Sequence, residues 1–521
     1  MSTAKFEHHA NRSVAKSASV IALATFISRL LGFLRDIVIA RLFGVYVYAQ
    51  AFVIAFRIPN LFRDLVGEGA TNSAFVPVFS EYAERRTKEE FWELANVVLN
   101  LLLVILMSIT ILGIIFSPVI VRLIAPGFIA SADKLATTIK LNRIIFPYIL
   151  LISLSAYSMG LLNSLKHFAV PAFAPCLLNI SIIVFALAFG EGTKGLALGV
   201  LVGGLLQLAV QVPVLYKKGF RLKLPRTLNH PAARNIGKLM LPRVLSSCIY
   251  QLNNFVDSIF GSLAWVVGEG GVAVLYFSYR LIQFPLGVFS NALSQAILPT
   301  FSTQALGDSH DKLKHTLSWG LRAVFFVMVP ASIGFMSLAR PVVSALFGGG
   351  KFDAYSVNIT ASALFYYSAG LFAYGGTKIL QSCFFSLKDT VTPTKIAGVS
   401  LVLNVIFITA LMFPLKISGI ALATSISGIA TFFMLFSMLE KKIGRFGRKE
   451  IAISFLRVLA ASLCMGLVCY FAGHIFLNKY LNLIVSVSAG LVSYIVFCFI
   501  FRVSEMRQLW HWFALREKPA I

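Results

Sequence analysis

The strongest constraint on this chain is the recurrence of apolar runs long enough to cross a bilayer. Fourteen candidate spans lie near 15–43, 49–80, 95–123, 139–162, 171–190, 195–216, 236–262, 272–300, 317–343, 358–385, 394–413, 417–438, 452–474 and 482–503. A helix needs roughly 20 apolar residues to traverse the hydrocarbon core. A membrane β-barrel would instead show short segments of alternating polarity. The expected fold is an all-α polytopic membrane protein of about 14 transmembrane helices. Composition agrees: the 521 residues are 58% hydrophobic and 13% charged, with mean hydropathy +0.82. The second run is too long for one straight helix, and Pro59 with Gly67-Glu68-Gly69 should break or bend it. Breaks at membrane depth are tolerated only where backbone faces protein or water.

That break falls in the most unusual stretch, Ser28–Ser80, where Arg29, Arg35, Asp36, Arg57, Arg63 and Glu68 lie in or near the first two spans. An arginine at mid-membrane costs about 2.5–3.5 kcal/mol even on the lenient insertion scale. Two readings are open. The arginines line a wet cavity that holds an anion, or they snorkel from helix ends and pair structurally, Arg35 with Asp36 and Arg63 with Asp64 or Glu68. Clustering favours the cavity. Arg29 and Arg35 are six residues apart, about 120° round a straight helix, and share no face unless Gly32 bends it.

The formal net charge of +25 would suggest nucleic acid in a soluble protein. Here it belongs to loops, and no nucleic-acid partner is expected. With the N-terminus inside, cytoplasmic segments carry 27 of the 46 lysines and arginines and external loops carry 7. The richest inside loops are 217–238 and 440–450. This asymmetry predicts both termini inside. The polar start running into a long apolar helix predicts no cleaved signal peptide. The other 12 basic residues lie in spans or at their edges; six lie close enough to a boundary to snorkel, and the other six are Arg29, Arg35, Arg57, Arg63, Arg280 and Lys378. The six cysteines all lie in apolar runs without a CxxC pair, so packing is expected of them and neither metal ligation nor disulfides.

The chain also repeats itself. AFVPVFS at 74–80 matches AILPTFS at 296–302, and Ser164-Leu165-Lys166 with Pro171 matches Ser386-Leu387-Lys388 with Pro393, both offset by 222. Gly195 and Ala197 match Gly419 and Ala421 at 224, and Arg57 corresponds to Arg280 within one residue. Six spans per repeat is an even number, so the halves share one topology, and substrate sites in such transporters lie near the midplane between repeats. The predicted organisation is an N-lobe at 1–217, a C-lobe at 218–440, and two further helices with a cytoplasmic tail at 441–521.

SRLLGFLRD, AFRIPNLFRDLVGEGA, AFVPVFSEY, APGF, FPYILLISLSA, VPAFAPCLLNIS and FPLGVFSNAL together resemble the MurJ (MviN) family. Its members are the lipid II flippases of peptidoglycan synthesis, with roles in the cell wall and cell shape. The resemblance covers essentially the whole chain. It implies the multidrug/oligosaccharidyl-lipid/polysaccharide exporter fold, two six-helix lobes around a central cationic cavity, with the last two helices shaping a groove for a polyprenyl tail. It implies a multi-pass protein of the bacterial inner membrane, with alternating access as mechanism. Arg29, Arg35, Arg63, Glu68, Arg280 and Lys378 match the family's important positions, and Arg57 stands where a lysine is also found. Gln50, Tyr279 and Gln283 replace acids that can occur in the family, which puts proton or cation coupling at those sites in doubt. Implied partners are lipid II, membrane lipids, and cell-wall synthesis or division proteins.

The chain shows no catalytic constellation, so it reads as a transporter and not an enzyme, with no cofactor or metal. Asp308 and Asp311 fit a solvated loop better than a metal pair. An exporter of drugs or of another lipid-linked oligosaccharide would share the fold, but the motifs and the two extra spans argue against it. A polyprenyl-phosphate glycosyltransferase would need catalytic acids on a loop. A non-transporting scaffold is opposed only by the cost of keeping six cations in the membrane.

Overall fold

The computed structural model describes residues 3–63, 74–190, 192–224, 230–307, 309–473 and 478–507. They are almost entirely helical and divide into two compact units, Met1–Ser262 and Leu263–Ile521. The first unit holds α1 (Thr3–Phe43), α2 (Val47–Phe62), α3 (Val76–Arg85), α4 (Lys88–Ile115), α5 (Ser117–Ile124) and α6 (Ala132–Ile145). It continues with α7 (Tyr148–Ser164), α8 (Ala169–Phe189), α9 (Thr193–Ala209), α10 (Val212–Lys218) and α11 (Pro231–Gly261). The second unit holds α12 (Ala264–Val267), α13 (Gly271–Pro285), α14 (Asn291–Gln304), α15 (Asp311–Ser337), α16 (Ala339–Leu346) and α17 (Ala354–Ser368). It ends with α18 (Leu371–Ser386), α19 (Val391–Leu415), α20 (Ile417–Ile443), α21 (Arg448–Ala472) and α22 (Lys479–Ile500).

Among the described residues, 10 helical stretches are long and apolar enough to cross a membrane. The expected spans outside these ten are α1, the 16-residue α2, α11, and α17 with α18, which stop at 15 and 16 residues on either side of a break. α13 and α14, which carry Arg280, form the least apolar of the ten, joined through a π-helical turn at Leu286–Ser290. In the long second run α2 is described to Phe62, with Pro59 inside it, and α3 begins at Val76; Gly67, Glu68 and Gly69, where the sequence predicts a break, lie outside the described residues.

Helix starts follow local chemistry. Thr87 and Glu90 form a reciprocal capping box at α4, and Asp353 accepts from the Ser356 N–H at 2.9 Å to cap α17. In the first unit, Phe75, Phe79, Phe91 and Tyr157 pack ring on ring, with the Tyr157 hydroxyl donating to the Ala95 carbonyl at 2.6 Å. In the second, Phe325 meets Phe372, Phe432 and Phe455 with ring centroids 5.3–6.2 Å apart.

The repeat is visible in the backbone. Lys166 and Lys388 close α7 and α18 with the same left-handed φ of +58°. In both turns the next residue's N–H reaches back to the residue five positions earlier, His167 to Leu162 at 2.8 Å and Asp389 to Phe384 at 3.0 Å. Gly195 and Gly419 hold the close approach of α9 to α8 and of α20 to α19. A Cβ would lie 2.5 Å from the Phe185 carbonyl oxygen at the first and 2.1 Å from that of Leu411 at the second. Left-handed lysine is strained by about 1 kcal/mol. Lys388→Gly should therefore raise the thermal midpoint in detergent by a degree or two and Lys388→Val lower it, as read by a fluorescence melt. Matching shifts are expected at Lys166.

Candidate functional site

α1 runs unbroken through Gly32, so Arg29 and Arg35 keep different faces: Arg29 is exposed and Arg35 is 5% exposed. Burying a guanidinium requires partners, and three helices supply them. Arg35 Nε and Nη2 donate to Asp36 Oδ1 at 3.1 and 2.8 Å, and Nη1 donates to Asn179 Oδ1 of α8 at 3.2 Å. The guanidinium lies 5.9 Å from the ring centroid of Phe56 on α2. Asn179 completes the junction by donating through Nδ2 to the Ser28 carbonyl at 3.2 Å. Asp36 is fully buried. Arg35 thus ties α1 to α2 and α8.

The other cations differ. Arg57 is half-buried directly after Phe56, between the buried Phe56 and Ile58. Arg63 is half-buried at the end of α2, its N–H reaching the Pro59 and Asn60 carbonyls. Glu68 lies outside the described residues. In the second unit Arg280 is half-buried on α13 and donates through Nη1 to Gln283 Oε1 at 3.3 Å. Lys378 is exposed on α18 beside the buried Ile379. Arg29 and Lys378 have no hydrogen-bond or ion-pair partner among the described residues. These two cations keep their donor capacity for a ligand, and arginine forks suit phosphate oxygens.

The three positions where acids can occur in the resembling family are occupied by neutral groups engaged in packing or hydrogen bonding. Gln50 is 1% exposed, Tyr279 packs against Tyr367 with ring centroids 5.6 Å apart, and Gln283 holds Arg280. Sequence reasoning missed Asn179 and Phe56 as partners of Arg35. Asn179 stands inside the motif VPAFAPCLLNIS, and a lone asparagine in an apolar helix was its one available signal.

The family model "Lipid II flippase MurJ" matches residues 39–489. A protein of Buchnera aphidicola from Acyrthosiphon pisum, named "Probable lipid II flippase MurJ", is 35% identical over 500 residues, covering 94% of this chain and 97% of its own. The "Lipid II flippase MurJ" of Burkholderia cenocepacia is 34% identical over 431 residues, covering 80% and 82%. A solved structure of "Lipid II flippase MurJ, inward closed conformation" superposes with TM-score 0.79 at 28% identity, covering 92% of this chain and 98% of its own. An inward-facing multidrug transporter of the MATE family is similar in fold alone, with TM-score 0.66 at 18% identity over 82% of this chain and 98% of its own. The chain is a multi-pass membrane protein with a transporter fold, and it belongs to the lipid II flippase MurJ family.

Proposed function

We propose that this protein is a lipid II flippase, moving the polyprenyl diphosphate-linked disaccharide-pentapeptide from the inner to the outer leaflet of the bacterial inner membrane. The observation that carries the reading is the family match along nearly the whole chain. The unspent cations on α1 and α18 support it. The chemistry is displacement without bond making: the diphosphate is held by fixed positive charge while the tail stays in lipid. Arg29, Arg57, Arg63, Arg280 and Lys378 are the proposed ligands, with Glu68 as an orienting acid and Arg35 setting the position of α1. Access alternates between the two faces. The functional halves are 1–217 and 218–440, supported by the matched turns at Lys166 and Lys388, with 441–521 serving the lipid tail. Cell-wall synthesis or division proteins are proposed partners.

Depleting the protein tests the reading. Lipid II should accumulate on the inner face and become inaccessible to an externally added enzyme that cleaves its head group. Unchanged outer-face accessibility after full depletion would overturn it.

Both termini and the loops at 217–238 and 440–450 are proposed to be cytoplasmic, on the strength of the 27-to-7 bias in basic residues. In a cysteine-free background, Leu228→Cys should resist a membrane-impermeant thiol reagent in intact cells and react after permeabilisation. Labelling in intact cells inverts the topology.

A further inference from the structure

The connector leaving α10 makes an unusual docking. Gly219 adopts φ +108°, and the Phe220 N–H reaches back to the Leu215 carbonyl at 3.0 Å, so the chain leaves the helix sharply. Phe220 is buried against Trp92, with ring centroids 5.6 Å apart. The following residues run along α4, gripped by two asparagines one turn apart. Asn96 Nδ2 donates to the Arg221 carbonyl at 3.0 Å and its Oδ1 accepts from the Lys223 N–H at 2.8 Å, while Asn100 Nδ2 donates to the Lys223 carbonyl at 3.2 Å.

This grip sets the depth of the segment. Asn100 immediately precedes the apolar stretch 101–115 of α4, which at 1.5 Å per residue rises about 22 Å, most of a hydrocarbon core. Residues 221–224 therefore lie where the headgroup region meets the acyl chains. Leu222 and Leu224 are 63% and 89% exposed there, an apolar pair that water would leave without cover. Around them stand Lys217, Lys218 and Lys223, all exposed. Glu81, Glu84 and Glu90 pair with Arg85, Lys166 and Arg86, Glu89 and Glu93 are exposed at the start of α4, and the three lysines have no ion pair among the described residues. Arg221 is spent locally, donating to the Tyr216 and Phe220 carbonyls at 3.0 and 2.8 Å.

We propose that Phe220–Leu224, with Lys217 and Lys218, forms a binding site for anionic phospholipid: the two leucines enter the acyl region and the three lysines hold the headgroup phosphate. The occupant follows from charge and depth together, because a neutral lipid leaves the lysines unmatched and a soluble anion leaves the leucines uncovered. Assignment to the inner leaflet rests on the orientation proposed above, but the contact itself does not.

Trp92 provides the readout. A single-tryptophan protein, with Trp265, Trp319, Trp510 and Trp512 changed to Phe, is reconstituted into 3:1 phosphatidylcholine–phosphatidylglycerol vesicles. Bromine is placed on the acyl chains of one lipid or the other. Each basic residue near an anionic surface is worth about fivefold in partition, so brominated phosphatidylglycerol should quench several-fold more per mole than brominated phosphatidylcholine. K217Q/K218Q/K223Q should abolish that preference, and the matching lysine-to-arginine triple should keep it. L222S/L224S should weaken quenching by both lipids. Equal quenching by the two lipids, or a preference that survives the glutamine triple, overturns the proposal. Quenching by neither also overturns it, since water or a protein then covers the segment. Flipping is not part of the readout, so such a failure leaves the lipid II reading standing.

Discussion

Asp36→Ala is expected to abolish accumulation of the protein in the membrane. Asp36 is fully buried and receives two hydrogen bonds from Arg35, which is itself 5% exposed. Removing the carboxylate strands a guanidinium among α1, α2 and α8. Breaking a buried pair from one side costs about 3–5 kcal/mol, a large fraction of the stability of a folded domain. Replacing both partners by apolar residues of similar size removes the stranded charge, so Arg35→Met/Asp36→Leu should accumulate far better than Asp36→Ala. Immunoblotting of membranes against a folded-state melt checks both. If Asp36→Ala accumulates normally, the pair is not what fixes α1. Transport by the double variant then separates two roles: retained flipping makes Arg35 a positioning residue, and lost flipping at normal abundance makes it a ligand as well.

Why the pair had two readings from sequence alone is clear from its geometry. Asp36 is adjacent in the chain, so the pairing was legible as an alternative to the cavity. The partners that make it a junction, Asn179 and Phe56, arrive from α8 and α2, and Asn179 is 144 positions away. No periodicity carries that information. The fold was far more legible, because bilayer thickness imposes a length and a polarity on each span irrespective of tertiary detail. Backbone punctuation was legible too: the 222-residue offset reappears as a shared left-handed turn at Lys166 and Lys388. Span number was less legible. Where a break divides α17 from α18, hydropathy and helix length part company.

The remaining cations should behave unlike the Arg35 pair. Arg29 and Lys378 have no partner among the described residues, so truncating them strands no buried charge. Arg29→Ala, Arg63→Ala, Arg280→Ala and Lys378→Ala are each expected to insert at normal levels and lose transport. A charge-assisted hydrogen bond is worth about 1.5–3 kcal/mol, or roughly 10- to 150-fold in affinity for the diphosphate. Losses of that size in the loaded state are enough to fail complementation when the chromosomal copy is removed. The arginine-to-lysine variants keep the charge but not the planar fork, so they should recover only part of the loss. Lys378→Arg should retain most function, since the ligand there needs charge more than a fork. Growth complementation, with membrane abundance measured in parallel, decides the matter. If all four alanine variants complement at normal abundance, these cations do not hold the substrate, and their place within the membrane must be explained by snorkelling to the interface.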